Sequence, residues 1–371
     1  MISEKRILKK KFWFTDNEID TYLKFYGCDI SEIKKSFLSN GAFTGLRPYL
    51  DNLAWHPIIH NKWLTVNFYR PKGIEMAKTL GFYHSTFGHN LSGERLCCSD
   101  DLFNLIRKEN LTKCVIKHIG GGVGNHVYIV DKIEEAGEEM ILHTATGSTL
   151  NKQDIDSILS EKEGGLYGYL VEKKLDLHPR ILEITGGGLS SVRLETLSFG
   201  EAVCKVQVAF IRLGLRDSAT DHISNGGLYV PVDLKTGVMG KALYGKSSAE
   251  YKWTSVHPST GIKFEGKKVP YWDETVSLAL SASKISPGLP RVGWDIVQSP
   301  EGPKLLEGNV GGSIVIDQLL QGGFFKNGVL KEWIQYLNIP EPDGSLKWRR
   351  EHWNKGRRLS SMEQLISSFM P

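Results

Sequence analysis

No apolar run in the 371 residues approaches the length a bilayer-spanning helix needs, and the N-terminus has no secretory-type apolar core. Cysteine is scarce and odd in number: Cys28, Cys97, Cys98, Cys114 and Cys204 have no metal-ligand spacing, and the adjacent Cys97 and Cys98 fit a common bridge poorly. Free thiols in a reducing, cytoplasmic compartment are the expectation. Charge of one sign is also in short supply. The formal net charge is +4, and no Lys/Arg block interleaves with aromatics, so nucleic acid is not the favoured partner. The basic start, Lys5-Arg6 and Lys9-Lys10-Lys11, reads as a solvated terminus able to rest on an anionic membrane surface. No Ser-His-Asp or Cys-His arrangement, internal repeat or low-complexity tract is evident. The glycine-rich loop at 120–124 joins two strands rather than opening a helix and matches neither G-x-G-x-x-G nor G-x4-G-K-[ST], which argues against a Rossmann dehydrogenase and a P-loop enzyme.

What is present is an ordinary globular composition, 40% hydrophobic and 24% charged, in a chain long enough for two or three lobes around a shared site. Residues 1–60 read as helical. Thr15-Asp16-Asn17-Glu18 is a capping box ahead of Ile19, Tyr22, Leu23 and Tyr26 at helical spacing, and a second helix from Ser31 to Leu38 is expected to stop at Asn40-Gly41. A small α/β segment follows, with Ser99-Asp100-Asp101 expected to cap a helix. Strands are expected at 113–117, 126–133, 140–143 and 166–174, with a short helix at 154–159. Further strands are expected at 191–198 and 204–213, then a hairpin through Asp233–Gly237 and a helix at 273–283. Amphipathic helices are expected at 329–337 and 362–369.

The stretch Arg291–Asn309 predicts a hairpin, one strand over 292–297, a turn at 299–302 and a return over 303–306. That geometry brings Asp295 near Glu307, and strand alternation turns Asn309 the same way as Glu307. Three oxygen ligands on one side of a hairpin suit hard Mg²⁺; taken alone, the pattern is equally a polar hairpin end.

Gly120, Gly121, Gly122 and Gly124 form a loop between two strands, where backbone N–H groups can approach an anion. By itself such a loop is more often flexible structure than a phosphate lid. Lys117, immediately before it, is placed to hold a phosphate. The segment Tyr169–Lys174 is an apolar strand leading into Glu172-Lys173, where Glu172 could accept from an exocyclic amine of a purine or simply reach water. Arg193 and Arg212 on strands can neutralise a γ-phosphate or an acyl-phosphate oxyanion, or lie on the surface.

In this order, the signals resemble the ATP-grasp superfamily: lysine with glycine-rich hairpin, apolar strand ending Glu-Lys, arginine strand, then G-x-D and E-x-N. Residues 61–323 are similar to the sugar-transfer-associated ATP-grasp family through Ser224-Asn225-Gly226-Gly227, His257-Pro258-Ser259-Thr260-Gly261, Val269-Pro270-Tyr271-Trp272 and Gly293-Trp294-Asp295. The resemblance implies an α+β ATP-grasp fold, two lobes clamping ATP. Its expected parts are a helical extension (1–60), a small α/β lobe (61–112), a small subdomain with the lid (113–175), a large subdomain with the Mg site (176–328) and a helical tail (329–371). It further implies that Lys62 and Lys117 contact nucleotide phosphates and that Gly120, Gly121, Gly122 and Gly124 close over them. Val171, Glu172 and Lys173 would face adenine, Asp176 the ribose, and Asn225 would join the nucleotide site. Asp295, Glu307 and Asn309 would hold Mg²⁺, and Arg193 or Arg212 would meet the transferred phosphoryl group. The implied activity is an ATP-dependent carboxylate–amine ligase working through an acyl-phosphate on small-molecule carboxylates and amines. A sugar acid or an amino-acid-bearing precursor of a surface polysaccharide is the implied setting. A sugar or polyol kinase and a nucleotide-binding scaffold are the rival readings.

Overall fold

The computed structural model describes residues 2–27, 29–120, 126–137, 139–160, 167–199, 202–216, 218, 220–339, 341–342 and 345–358. It opens with four helices: α1 (Ile2–Phe12), α2 (Asp16–Tyr26), α3 (Ile30–Ser36) and α4 (Asn40–Leu50). The capping box at α2 is formed, with Glu18 N donating to Thr15 Oγ1 at 3.1 Å and Thr15 N donating to Glu18 Oε2 at 2.7 Å. Asn40-Gly41, expected to end a helix, instead starts α4. Ser39 provides the N-cap by accepting from Ala42 N at 3.0 Å, and so outcompetes a stop signal one residue later.

Two short helices follow, α5 (Pro57–His60) and α6 (Lys62–Tyr69). Then come strands β1 (Thr79–Tyr83) and β2 (His89–Asn90) and helix α7 (Ser99–Lys108). Ser99 is the first residue inside α7 rather than its cap: its N and Oγ are bound by Asp156. Strands β3 (Cys114–His118), β4 (Val127–Ala136), β5 (Glu139–Thr144) and β6 (Thr149–Leu150), helix α8 (Lys152–Ser160) and strand β7 (Tyr169–Lys173) complete a seven-stranded sheet ordered β2-β1-β7-β3-β4-β5-β6.

After helix α9 (Pro179–Thr185), the second sheet collects β8 (Ser190–Ser198), β9 (Cys204–Leu213), β10 (Leu228–Pro231), β11 (Ala242–Tyr244), β12 (Lys252–Thr254), β13 (Arg291–Ser299) and β14 (Gly302–Asn309). Its order is β12-β11-β10-β9-β8-β13-β14, and its ladder pairs are antiparallel. Helix α10 (Trp272–Lys284) covers one face. The opposite face is covered in part by α1–α4, α11 (Val315–Gln321) and α12 (Val329–Leu337), with Val208, Phe210 and Tyr229 of the sheet buried against Leu46, Phe43 and Trp333. The tail helix expected at 362–369 lies outside the described residues. Cys97, Cys98, Cys114 and Cys204 are free thiols. No helix among the described residues is long and apolar enough to cross a membrane.

Gln318 fastens the N-terminal helices to this face. Its Nε2 donates to Tyr22 Oη (3.0 Å) and the Leu38 carbonyl (2.7 Å), and its Oε1 accepts from Leu38 N (2.8 Å) and Phe324 N (3.1 Å). Gln318→Ala strands several buried polar groups at about 1–3 kcal/mol each. Urea unfolding should show a loss of at least about 3 kcal/mol in that variant.

Candidate active site

Strand alternation decides which residues meet. In β8, Ser191, Arg193 and Glu195 point to one face while Val192 and Leu194 enter the core behind it. Asp295 is the Cα partner of Arg193 on one side and of Glu307 on the other, as the hairpin reading required. A bulge after Asp295 shifts the register before Ile296. At Gly293, the partner of Glu195, a Cβ would lie 2.3 Å from Glu195 Oε1 and 3.1 Å from Arg193 Cδ, so any larger residue would displace the Glu195 carboxylate.

This open part of the face forms one wall of a cavity of about 1110 Å³, and the first sheet forms another. On the first sheet, Lys117 of β3 and Glu172 of β7 face the cavity while Cys114, Ile116 and Val171 pack into the core behind. Lys117 Nζ and Glu172 Oε2 are 2.6 Å apart. Lys62, at the start of α6, reaches the same place with its Nζ 3.9 Å from Glu307 Oε2. Burial, opposed by Glu307, lowers the Lys62 pKa. Ala77, Val115, Val127 and Ile129 supply apolar lining.

The centre is a chain of alternating charges. Asp295 Oδ1 accepts from Arg193 Nε at 2.5 Å, and Oδ2 accepts from Arg193 Nη2 at 2.9 Å, Arg212 Nη2 at 2.8 Å and Asn309 Nδ2 at 3.1 Å. Arg212 continues to Asp221 at 3.4 Å and donates to Ser191 Oγ at 2.6 Å. In the other direction Arg193 meets Glu195 at 3.4 Å, and Arg291 Nη2 lies 2.9 Å from both Glu195 Oε2 and Asp317 Oδ2. Four carboxylates, Asp221, Asp295, Glu195 and Asp317, therefore alternate with three guanidiniums. Burial raises the Asp295 pKa, but Arg193 and Arg212 outweigh it and the net shift is downward. At the ends burial wins: Asp221 is raised despite Arg212, and Asp317 is raised to about 7 by burial and Glu195 against Arg291.

The sequence-derived residues fare unevenly. Lys62, Lys117, Glu172, Arg193, Arg212, Asp295, Glu307 and Asn309 line one cavity. Lys173 and Asp176 also line it, but Asp176 is exposed at its rim and bound to Lys113 at 3.0 Å. Val171 does not face the cavity, because it alternates with Glu172 and its side chain is buried behind the sheet. Glu172 does face it, but with its carboxylate held by Lys117. Asn225 is exposed on a turn and does not line the cavity, although its neighbour Ser224 does. Gly120 N donates to His118 Nδ1 at 3.1 Å; Gly121, Gly122 and Gly124 lie outside the described residues. Sequence reasoning missed Glu195, Arg291, Asp221 and Asp317. Glu195 was recoverable, since two residues after Arg193 on a strand is the same face. Asp317, on a helix eight residues past Asn309, carried no signal.

The match to the sugar-transfer associated ATP-grasp model runs from residue 46 to residue 331. The chain belongs to that family. No curated protein matches it. Among solved structures, similar ones include the D-alanine-D-alanine ligase from Coxiella burnetii (TM-score 0.41, 10% identity, 89% of this chain and 69% of that one). The ATP-grasp ligase PsnB complexed with minimal precursor, Mg and ADP (0.40, 12%, 78% and 62%) and the L-amino acid ligase from Bacillus licheniformis (0.38, 13%, 75% and 49%) are others. The chain thus spans roughly half to two thirds of the length of these structures. The family match carries the α+β ATP-grasp fold expected from the sequence, here two sheets facing one cavity.

The donor chemistry fits Mg²⁺, which takes one or two carboxylates and fills its shell with phosphate oxygens and water. Glu307 is part-exposed, and Asn309 stands beside it on the same strand. Of the four contacts to the Asp295 carboxylate, three (Arg193, Arg212 and Asn309) fall on Oδ2 and only one (Arg193 Nε) on Oδ1, so Oδ1 is the oxygen with room for a cation. Among the described residues no group of three or more His, Cys, Asp or Glu forms a metal cage.

Proposed function

We propose that this protein is an ATP-dependent carboxylate–amine ligase acting through an acyl-phosphate. The observation that carries the reading is the convergence of Lys62, Lys117, Arg193, Arg212, Asp295, Glu307 and Asn309 on one cavity between two sheets. The cavity's Lys and Arg residues are nearly balanced by its Asp and Glu residues. A triphosphate entering such a nearly neutral site brings uncompensated charge, which a divalent ion held by Glu307, Asn309 and Asp295 would offset. When bound, Mg²⁺ would neutralise phosphate oxygens and polarise the transferred phosphoryl group.

The chain's own residues do the rest. Lys62 and Lys117 hold phosphate oxygens, with Glu172 fixing the Lys117 ammonium. Arg193 and Arg212 turn from Asp295 towards the oxygens that gain charge. The substrate carboxylate attacks the γ-phosphorus, ADP leaves, and an amine then displaces phosphate to give an amide. Enclosure between the sheets keeps water from the acyl-phosphate. A sugar acid, or an amino-acid-bearing precursor of a surface glycan, is the proposed substrate, in keeping with the family's description.

The test is ADP release against a panel of sugar acids, with and without amines, and with hydroxylamine to trap the acyl-phosphate as a hydroxamate. ADP and phosphate formed in equal amounts, with a hydroxamate, support the ligase. ADP without free phosphate would replace it by a kinase. Lys117→Met should raise the nucleotide KM by about tenfold or more, because a partly desolvated charge-assisted contact is lost.

A further inference from the structure

Two segments about 335 residues apart concentrate the protein's positive charge. Residues 2–12 carry five Lys/Arg against Glu4, and residues 346–358 carry six against Glu351. Together they hold a formal charge of +9 in a chain of net +4, so the remaining residues sum to −5.

The fold brings these segments together. Trp13, just after α1, stacks on Trp348 at 5.0 Å and on Trp353 at 6.1 Å between ring centroids. Trp348 belongs to a helical segment that starts at Leu346–Trp348 and continues through a π-helical turn at Arg349–Trp353. That segment is seated on α4, with Tyr49 Oη 2.9 Å from His352 Nδ1.

On α1 the division of labour is clear. Leu8 is buried, and Lys5 and Lys9 are spent on Asp20 and Asp16 of α2. Arg6, Ile7, Lys10 and Lys11 are exposed; Arg6 and Lys10, four apart, share the face opposite Leu8, and Ile7 and Lys11, also four apart, flank it. On the C-terminal segment Lys347, Arg350, Lys355 and Arg358 are exposed. Ile7, 45% exposed, adds an apolar side chain to the basic arc. Past Arg358 the sequence continues with Met362, Leu365, Ile366 and Phe369 at helical spacing, outside the described residues.

We propose that this two-segment basic face docks the protein on an anionic lipid bilayer. Charge complementarity carries the choice: a dense positive face on an otherwise net-negative protein is drawn to anionic headgroups, whose attraction adds with each basic residue near the surface. A basic arc with an apolar member is the composition of an interfacial helix, and single weak signals are insufficient for stable anchoring. Nucleic acid is disfavoured because, among the described residues of this face, Trp13 and Trp348 are buried against each other rather than exposed to stack on bases. Helix α4 also carries Arg47 against Gly311, where a Cβ would sit 2.0 Å from its Nη2, two residues past Asn309. Docking through a segment seated on α4 therefore brings the cavity region close to the bilayer, where a lipid-linked substrate would be found.

The experiment is co-sedimentation of the full-length protein with vesicles of phosphatidylcholine containing about one-third phosphatidylglycerol, against phosphatidylcholine alone. Partition into anionic vesicles should exceed that into neutral ones at least tenfold and fall steeply as salt rises towards physiological strength. Two double variants, Lys10→Glu with Lys11→Glu and Lys355→Glu with Arg358→Glu, should each lower the partition several-fold with unchanged melting temperature. Equal binding to neutral vesicles, or none to anionic ones at low salt, overturns the proposal. Loss in one double variant only overturns the single two-segment face. Tighter, equally charge-sensitive binding to a DNA duplex than to vesicles would replace the bilayer by nucleic acid.

Discussion

Glu307→Gln should lower ADP release by about two to three orders of magnitude while leaving the unfolding midpoint within error of wild type. Glu307 is part-exposed and its nearest cation, Lys62, is 3.9 Å away, so the native fold loses little with its charge. Asp295→Asn should match that loss of turnover and also destabilise the protein by about 3–5 kcal/mol. Its carboxylate, 1% exposed, is the shared counterion of Arg193 and Arg212, and an amide leaves two buried guanidiniums under-compensated. From the hairpin alone the two substitutions look equivalent; the register with β8 makes them different. The Asp295 pKa lies below its unfolded value, so its stabilising contribution is present above about pH 4 and lost as pH falls through the lower native value. Acid unfolding should therefore be eased in Asp295→Asn relative to neutral pH less than in wild type. Turnover checks the metal assignment, and denaturant melts check the ion-pair assignment. An active Glu307→Gln enzyme would remove the metal site.

What was legible in the sequence follows from local periodicity. The hairpin 291–309, the strands flanking the glycine loop and the capping box at Thr15 rest on period-two alternation, turn residues and side-chain-to-backbone bonds within four residues. Placement across the fold was not legible. Arg193 and Arg212 were picked out for phosphate, but only the ladder shows both on Asp295. Val171 was chosen with Glu172 as a unit, although adjacent residues on a strand face opposite sides. The N-terminal helices looked free of chemistry because their link to the site runs through Gln318 and α11, about 280 residues further on. Ser39 and Asn40 show a purely local failure: two adjacent capping residues, one read as a stop, when Ser39 had the better-placed hydroxyl.

Asp317→Asn should change the pH dependence of stability, and the sign follows from the odd acid in the charge chain. Four carboxylates against three guanidiniums leave one negative charge too many in a buried row, and Asp317 and Glu195 compete for a single nitrogen of Arg291. The charged groups facing Asp317 are Arg291, Glu195 and Arg193 from the sheet; on the helical side stands the neutral phenol of Tyr22 of α2, whose pKa burial raises. The native protein keeps a proton on Asp317 up to about pH 7, whereas the unfolded chain releases it near the ordinary value of 3.8. Between those limits the native state binds more protons, so stability falls as pH rises through the window. Asparagine keeps the shape and an acceptor for Arg291 but removes the surplus charge. Urea unfolding should find the variant near wild type at about pH 4, and more stable by a few kcal/mol at neutral pH, since each pKa unit is worth about 1.4 kcal/mol. Parallel wild-type and variant curves would move the retained proton to Asp221, the other raised carboxyl in the row, and Asp221→Asn would then show the same crossing. Because this proton sits on the same row as Arg193 and Arg212, its loss also alters how tightly those arginines are held before a phosphoryl group arrives.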